Sequence, residues 1–308
     1  MHDLESFIAA SLDTVVRVYS GRLGVGKCPG LNAEQREVEA RTVHSLENNL
    51  EGYIQRYEAE NGNYLGADNA KELFPLYTAG PKTRRWYVEA VHYSSGALVK
   101  EIWQRKLAQA PATPDEYVLF TAGGPGAGKT AAIESQPACR ELVRNAYVVH
   151  DTMLAEFERG VAKLAEVIAS GRRVVVIYVY RPVENAMVGV IDRAKQTGRI
   201  VALKDVARKH FESQETLIQL AEHYETSPLT RFLVLDNSGP LGTAQEIPLA
   251  QFKDRRIKDW QTISRRAMET LDEEFQRRLG TEQEITASLY LNLRDEGIDL
   301  SAYRKPQE

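Results

Sequence analysis

Residues 117–130, with the sequence YVLFTAGGPGAGKT, constrain the fold more than any other stretch of the chain. Residues 117–120 are a short apolar run of the kind that forms a buried strand. The run leads into glycines spaced G-x-x-x-x-G-K-T, which allow backbone N–H groups to turn inward and approach phosphate oxygens. The stretch therefore predicts a strand, a phosphate-binding loop and a helix whose positive N-terminal end faces the same anion.

This spacing is that of a P-loop, and it predicts binding of ATP or GTP together with Mg²⁺. Lys129 is expected to reach the β- and γ-phosphates, and the Thr130 hydroxyl is expected to ligate Mg²⁺. The alternative is a glycine-rich turn without a ligand. The residues predicted to contact the nucleotide are Gly123, Gly124, Pro125, Gly126, Ala127, Gly128, Lys129, Thr130 and Ala131.

A partial second match occurs at residues 21–28, GRLGVGKC. Here Cys28 stands in place of the hydroxyl that would ligate Mg²⁺. Pro29 and Gly30 follow where a helix would have to begin, and glycine directly after proline favours a turn. We predict a loop at this position.

Composition narrows the class of protein. The chain has 308 residues, of which 43% are hydrophobic and 27% charged, a balance typical of a globular protein. A formal net charge of −4 and a pI near 6.0 give no electrostatic reason to expect a nucleic-acid partner. The N-terminus does not resemble a signal peptide, and no apolar run approaches the roughly 20 residues of a membrane helix. We expect a cytoplasmic protein whose two cysteines, Cys28 and Cys139, are free thiols.

Three regions are predicted along the chain. Residues 1–110 show helical spacing of apolar residues, for example at Leu4, Phe7, Ile8 and Leu12, and are expected to be all helical. Residues 111–245 alternate strands with helices, which indicates an α/β core with a parallel sheet. The predicted strands are 117–120, 147–149, 174–180 and 232–235. Residues 246–308 are expected to form C-terminal helices whose paired arginines, including Arg277 and Arg278, lie on a solvated face.

Polar residues follow two of the predicted strands. His150 and Asp151 come at the end of the second strand, where a carboxylate can deprotonate an acceptor hydroxyl or hold Mg²⁺ through water. Asp151 also fits the N-cap of a helix, and the two roles are compatible. His150 is interpreted as a structural neighbour. Asn237 follows the last strand and is expected near the nucleotide base or lining a loop.

Arg193 and Arg199 lie six positions apart around Gly198, with Lys195 between them. Phosphoryl transfer needs positive charge over the transferring group, and guanidinium groups stay charged and bind phosphate bidentately. The pair therefore predicts cationic side chains that close over the γ-phosphate. The alternative is a basic helix exposed to solvent.

The P-loop, the acid and the arginines together resemble the zeta-toxin family of P-loop kinases over residues 117–240. GGPGAGKT resembles the family's P-loop, Asp151 its general base, and Arg193 and Arg199 its lid arginines. The resemblance implies a P-loop kinase core that phosphorylates a small-molecule hydroxyl, as in UDP-N-acetylglucosamine at the 3′-hydroxyl of the sugar. It also implies a protein antitoxin or inhibitor as a partner.

The interval from Lys129 to Asp151 departs from the family pattern. The family has two strands there, one ending in the base and another in a substrate-side acid, and Asp151 matches either. One strand and part of the substrate pocket are therefore expected to be missing or rebuilt. Residues 1–110 would either supply the acceptor pocket or mask the nucleotide site. The alternatives to a sugar-nucleotide kinase are a kinase of NAD or another nucleotide, a P-loop ATPase that transfers phosphate only to water, and a nucleotide-binding interaction module.

Overall fold

The computed structural model of the chain describes residues 23–240 and 242–294. The predicted helical spacing at residues 4–12 and the end of the predicted C-terminal segment, residues 295–308, lie outside the described residues. Within them the strands are β1 (Tyr64–Leu65), β2 (Tyr117–Ala122), β3 (Val148–Asp151), β4 (Arg173–Tyr180), β5 (Thr230–Asp236) and β6 (Gln245–Ile247). They form one sheet in the order β1-β3-β2-β4-β5-β6.

The sheet is parallel from β1 to β5, and only β6 runs antiparallel to its neighbour in the part of the chain that is described. The four strands predicted from apolar runs are all present: β2, β4 and β5 are longer than predicted, and β3 begins one residue later and ends two residues later. Strand β4, RVVVIYVY, is buried from its second residue onward because helices cover both of its faces. The predicted fold class, a P-loop-type α/β core with helices before and after it, is confirmed.

The first region is helical except for β1. Its helices are α1 (Ala33–Asn48), α2 (Leu50–Asn61), α3 (Ala67–Lys71), α4 (Pro75–Thr78), α5 (Pro81–Tyr87) and α6 (His92–Ala108). The expectation of an all-helical region is wrong at Tyr64 and Leu65, which pair with Val149 and His150 of β3. The chain can enter the sheet there because the turn after α2, with Gly62 at a φ of 61°, redirects it toward the edge of β3.

The remaining helices lie on both faces of the sheet and after it. They are α7 (Lys129–Ser135), α8 (Pro137–Asn145), α9 (Phe157–Ala169), α10 (Val183–Thr197), α11 (Leu203–His223), α12 (Leu249–Arg255), α13 (Trp260–Arg278) and α14 (Ala287–Arg294). Helix α13 packs against both α10 and α11. None of the helices in residues 23–240 and 242–294 is long and apolar enough to cross a membrane.

Alternate residues of the strands face two different hydrophobic cores. Val118, Phe120, Val176 and Tyr178 belong to one core cluster, which also contains the buried Trp103 of α6. The residues between them in sequence belong to a second cluster, with Leu119, Val175 and Ile177 among its members. The period of two is that of a strand covered on both sides. Because the helices of the first region share a core with β2 and β4, the predicted division near residue 110 is crossed by tertiary packing and stays a prediction.

Two further expectations can be compared with the structure. Residues 23–28 of the partial second P-loop match have no regular secondary structure and lead into a turn at Pro29 and Gly30, so the predicted loop is confirmed there. The expectation of a solvated C-terminal face is wrong for Arg278, which is only 3% exposed. Its guanidinium contacts Asp192 of α10 at 2.6 Å and Glu274 at 2.7 Å, so it joins α13 to α10.

Candidate functional site

The loop between β2 and α7 has the backbone of an anion-binding turn. Gly123, Gly126 and Gly128 have φ values of 137°, 75° and 75°, in the region that side chains rarely adopt. At Gly126 a Cβ atom would also collide with the carbonyl oxygen of Ala186 in α10. Helix α10 can therefore approach the loop only because this position carries no side chain.

Two buried polar side chains from other parts of the chain form hydrogen bonds to the backbone of the P-loop. The His210 ring of α11 bonds through Nε2 to the Pro125 carbonyl oxygen at 2.7 Å, and Asn237 donates from Nδ2 to the Ala127 carbonyl oxygen at 2.8 Å. Because a carbonyl only accepts, Nε2 of His210 carries the proton. Burial lowers the pKa of His210, which keeps the ring neutral at pH 7. Asn237 thus lines a loop as its position predicted.

His210 could not be recognised from the sequence as a loop contact. It lies on the buried face of α11 with Val206, Ser213 and Leu217, and the one available signal is a polar ring at helical spacing among core positions. A buried histidine at such a position is usually only a satisfied core residue. Its bond to Pro125 depends on how α11 packs against the loop.

Lys129 and Asp151 meet at the carboxyl ends of β2 and β3. The Lys129 ammonium lies 2.9 Å from Oδ1 of Asp151 and donates to the Thr152 carbonyl oxygen at 3.0 Å. The Thr121 hydroxyl at the end of β2 donates to the same Oδ1 at 2.7 Å. Among the described residues Oδ2 of Asp151 has no hydrogen-bond partner, so one carboxylate oxygen is anchored and the other is open.

Thr130 and Ala131 occupy the second and third positions of α7, immediately after the loop, and the side chain of Thr130 is exposed. The Thr130 hydroxyl and the Asp151 carboxylate are oxygen donors of the kind that Mg²⁺ prefers. No cluster of three or more metal-ligating side chains occurs within the described ranges. Mg²⁺ commonly takes only one or two protein ligands and completes its shell with phosphate oxygens and water, so this donor set fits an ion that arrives with a nucleotide.

The two predicted lid arginines lie at the end of α10. Arg193 is part of the helix, and Arg199 follows Gly198, which caps it in the left-handed conformation. Burial and the nearby Arg199 lower the pKa of Arg193, while the carboxylates of Asp68 and Asp151 act in the opposite direction. Arg193 is thus within electrostatic reach of Asp151, and its buried Nε has no hydrogen-bond partner among residues 23–240 and 242–294. Lys195 points elsewhere and donates to the Glu282 carbonyl oxygen at 2.9 Å.

The first region of the chain reaches the same site. A Cβ atom at Gly66, directly after β1, would lie 3.3 Å from Cβ of Asp151, so the backbone of Gly66 runs against the side chain of Asp151. The Tyr57 hydroxyl holds Gly66 in place by accepting from its N–H at 2.9 Å and donating to its carbonyl oxygen at 3.3 Å. The carboxylate of Asp68, two residues further on, forms an ion pair with Arg199. Sequence reasoning missed these contacts.

His150 points away from the site into the core. Its ring lies 4.9 Å from that of Trp103, and its Nδ1 bonds to the Leu65 carbonyl oxygen at 3.1 Å. Burial lowers the pKa of His150 to about 4. The interpretation of His150 as a structural residue therefore agrees with its position.

The depressed pKa of His150 predicts a loss of stability in mild acid. Because the unfolded chain takes up a proton near pH 6.5 and the folded chain only near pH 4, stability falls between these values. At about 1.4 kcal/mol per pKa unit, we expect His150 to contribute about 2 kcal/mol to the loss from pH 7 to pH 5. Urea unfolding at both pH values should show this loss, and His150→Gln should reduce it. His44→Gln, at an exposed helical position, should follow the wild type.

The sheet order, the P-loop and the helices on both faces define a P-loop nucleoside triphosphatase-type α/β fold. Residues 135–240 match the family model described as Zeta toxin. Over these residues the match agrees with the zeta-toxin resemblance that the motifs predicted. The match begins after the P-loop and contains Asp151, Arg193 and Arg199. A search among curated proteins finds no match to the chain. The match indicates a P-loop kinase-like, nucleotide-binding protein and a phosphotransferase in general terms.

Proposed function

We propose that the chain is a kinase that transfers the γ-phosphate of ATP or GTP to a hydroxyl of a small molecule in the cytoplasm. The observation that carries this proposal is the position of Asp151 beside Lys129 of the P-loop at 2.9 Å. A carboxylate so close to the phosphate-binding lysine lies next to the space where a γ-phosphate would end. The position suits a group that prepares an acceptor oxygen for attack.

In this proposal the two oxygens of Asp151 have different tasks. Oδ1, held by Thr121 and Lys129, orients the carboxylate, and Oδ2 accepts the proton of the acceptor hydroxyl. The acceptor oxygen then forms a bond to the γ-phosphorus while the bond from that phosphorus to the β–γ bridging oxygen breaks, and ADP or GDP leaves. Lys129, Arg193 and Arg199 offset the negative charge that spreads over the transferring group.

Mg²⁺ bound with the nucleotide would be held by Thr130 and would neutralise part of the phosphate charge. The main-chain N–H groups of the loop from Gly123 to Ala131 would cradle the phosphates, and the N-terminal end of α7 would add its partial positive charge. The bonds from His210 and Asn237 keep the loop in the conformation that this requires.

The acceptor in this proposal enters on the side of Asp151 that faces Gly66 and Asp68. UDP-N-acetylglucosamine is the first candidate because of the family resemblance, and NAD is the second. Of the two roles considered for residues 1–110, a contribution to the acceptor pocket is supported by β1 and Gly66, which lie beside the base. A protein antitoxin is the partner class that the family suggests.

The proposed reaction can be tested with purified protein, Mg²⁺ and either ATP or GTP. UDP-N-acetylglucosamine and NAD are offered separately, with a sample without acceptor, and products are identified by a mass increase of one phosphate. We expect one acceptor to be phosphorylated. Asp151→Asn should slow the transfer by about 10²–10⁴-fold because the proton acceptor is lost. Nucleotide affinity, measured by calorimetry, should change little because Lys129 remains.

Asp205→Asn is the matched control, since Asp205 is a carboxylate in the first turn of α11 that pairs with Arg208 of the same helix at 2.9 Å. It should retain full transfer activity. Full activity in Asp151→Asn would remove Asp151 from the mechanism. Hydrolysis of ATP in the absence of any acceptor, at above about 1 s⁻¹, would instead indicate an ATPase. Absence of nucleotide binding would indicate an interaction module.

A further inference from the structure

Asp68 connects the first region of the chain to the lid. Its carboxylate uses its two oxygens separately: Oδ1 lies 3.3 Å from the ammonium of Lys71, and Oδ2 accepts from Nη2 of Arg199. Lys71 is only 8% exposed and lies one helical turn further along α3. It therefore holds the carboxylate oxygen that does not contact Arg199. The contact engages a single nitrogen of Arg199. Within the described residues Nε and Nη1 of Arg199 make no hydrogen bond and can face another anion.

The backbone next to Arg199 is held by the same region. Gly198 has a φ of 78°, and a Cβ atom there would collide with the Pro81 carbonyl oxygen at the start of α5. The end of α10 thus lies directly on the backbone of the first region. Together, Pro81 and Asp68 determine where the turn and the side chain of Arg199 lie.

Asp68 also lies close to the guanidinium groups of both Arg193 and Arg199, which repel each other. The like charge of Arg199 lowers the pKa of Arg193, and the carboxylate of Asp68 raises it. The attraction of Arg199 and Lys71 outweighs burial, which alone would raise the pKa of Asp68, and holds that pKa below its ordinary value. Asp68 is therefore ionised at neutral pH and offsets the repulsion between the two arginines.

We propose that Asp68 is a positioning residue for phosphoryl transfer, which holds the Arg199 guanidinium beside Arg193 so that both can contact the γ-phosphate. The inference rests on the proposed kinase function and goes beyond it, because it assigns a role to a residue outside the segment that matches the family. Without Asp68, Arg199 should move away from Arg193 and lose its contact with the γ-phosphate. ADP lacks that group and should not report the change.

The test compares the binding of Mg-AMPPNP, a β,γ-imido analogue of ATP, with that of Mg-ADP by calorimetry. Asp68→Asn should weaken the binding of AMPPNP by about five- to tenfold, the effect of one partly exposed charged contact, and leave ADP binding unchanged. Glu72→Gln is the matched control, because Glu72 follows α3 and holds Arg84 at 2.7 Å. It should bind both nucleotides like the wild type.

A second pair of variants shows whether the effect acts through Arg199. In an Arg199→Ala background, Asp68→Asn should produce no further loss of AMPPNP affinity. Tighter binding of AMPPNP by Asp68→Asn would overturn the proposal and show that the carboxylate only opposes phosphate. Equal weakening of AMPPNP and ADP would overturn it in favour of a general structural role. If the wild-type protein bound neither nucleotide, the kinase function itself would fail instead.

Discussion

Lys129→Ala is expected to lose nearly all phosphoryl transfer and most of its affinity for nucleotide. Lys129 is the cation that a P-loop places on the β- and γ-phosphates, and removal of one preorganised contact of this kind costs about 10²–10³-fold in rate. The variant also loses the 2.9 Å contact that orients Asp151, which leaves only Thr121 on that carboxylate. Calorimetry with Mg-ATP and the mass-shift assay with the phosphorylated acceptor measure the two effects separately.

Lys195→Ala is the control for Lys129→Ala. It removes the same charge, but Lys195 is exposed and its ammonium donates to the Glu282 carbonyl oxygen. It should bind ATP and transfer phosphate at wild-type levels. Equal losses in the two variants would show that net positive charge, rather than the position of Lys129 in the loop, governs binding.

Arg172→Met is expected to cause the largest loss of stability among the charged positions considered. The Arg172 side chain is fully buried, contacts Glu116 at 2.6 Å and donates to the Gln109 carbonyl oxygen at 2.9 Å. It also lies over the ring of Tyr147, 4.2 Å from its centroid. Removing one partner of a buried ion pair leaves an uncompensated charge, which costs about 3–5 kcal/mol. Methionine keeps the apolar stem, so the loss reports the charged contacts.

The neighbouring residue provides the comparison for Arg172→Met. Arg173 forms an ion pair with Asp115 whose side chains are 50% and 78% exposed, and such pairs contribute about 0–1 kcal/mol. Denaturant unfolding of Arg172→Met and Arg173→Met should therefore differ by several kcal/mol. Equal losses of unfolding free energy in the two variants would contradict the prediction. They would mean that the buried contacts of Arg172 stabilise the protein no more than the exposed ion pair of Arg173 does.

The strands that the sequence predicts are those whose residues are apolar on both faces. Strand β4 is an uninterrupted apolar run, so its burial follows from composition alone. The two missed strands carry no such signal. Strand β1 has only two residues, too few to show alternation, and β6 has the polar sequence Gln-Glu-Ile at the edge of the sheet. Their assignment depends on pairing with distant strands, which local sequence does not encode.

The candidate site likewise contains residues that the sequence predicts and residues that it does not. The P-loop, Lys129 and Asp151 are predictable because the carboxyl ends of parallel strands meet at one edge of the sheet. The contacts of Asp68 with Arg199 and of His210 with Pro125 depend on how helices pack, and no spacing in the sequence relates these positions. The edge strand beside β3 is β1, which comes from residues before the P-loop and which no feature of the 129–151 interval could predict.

That origin of β1 affects the order in which the polypeptide can fold as it is synthesised. Leu65 contacts His150 of β3, which lies 85 positions later in the chain. A nascent chain that ends at the last residue of α6 contains the residues of every helix of the first region, yet it has no strand to pair with Tyr64 and Leu65. The backbone groups of these two residues must wait unpaired until Asp151 has left the ribosome. We therefore expect the contact between the first region and the Asp151 carboxylate to form only late in synthesis.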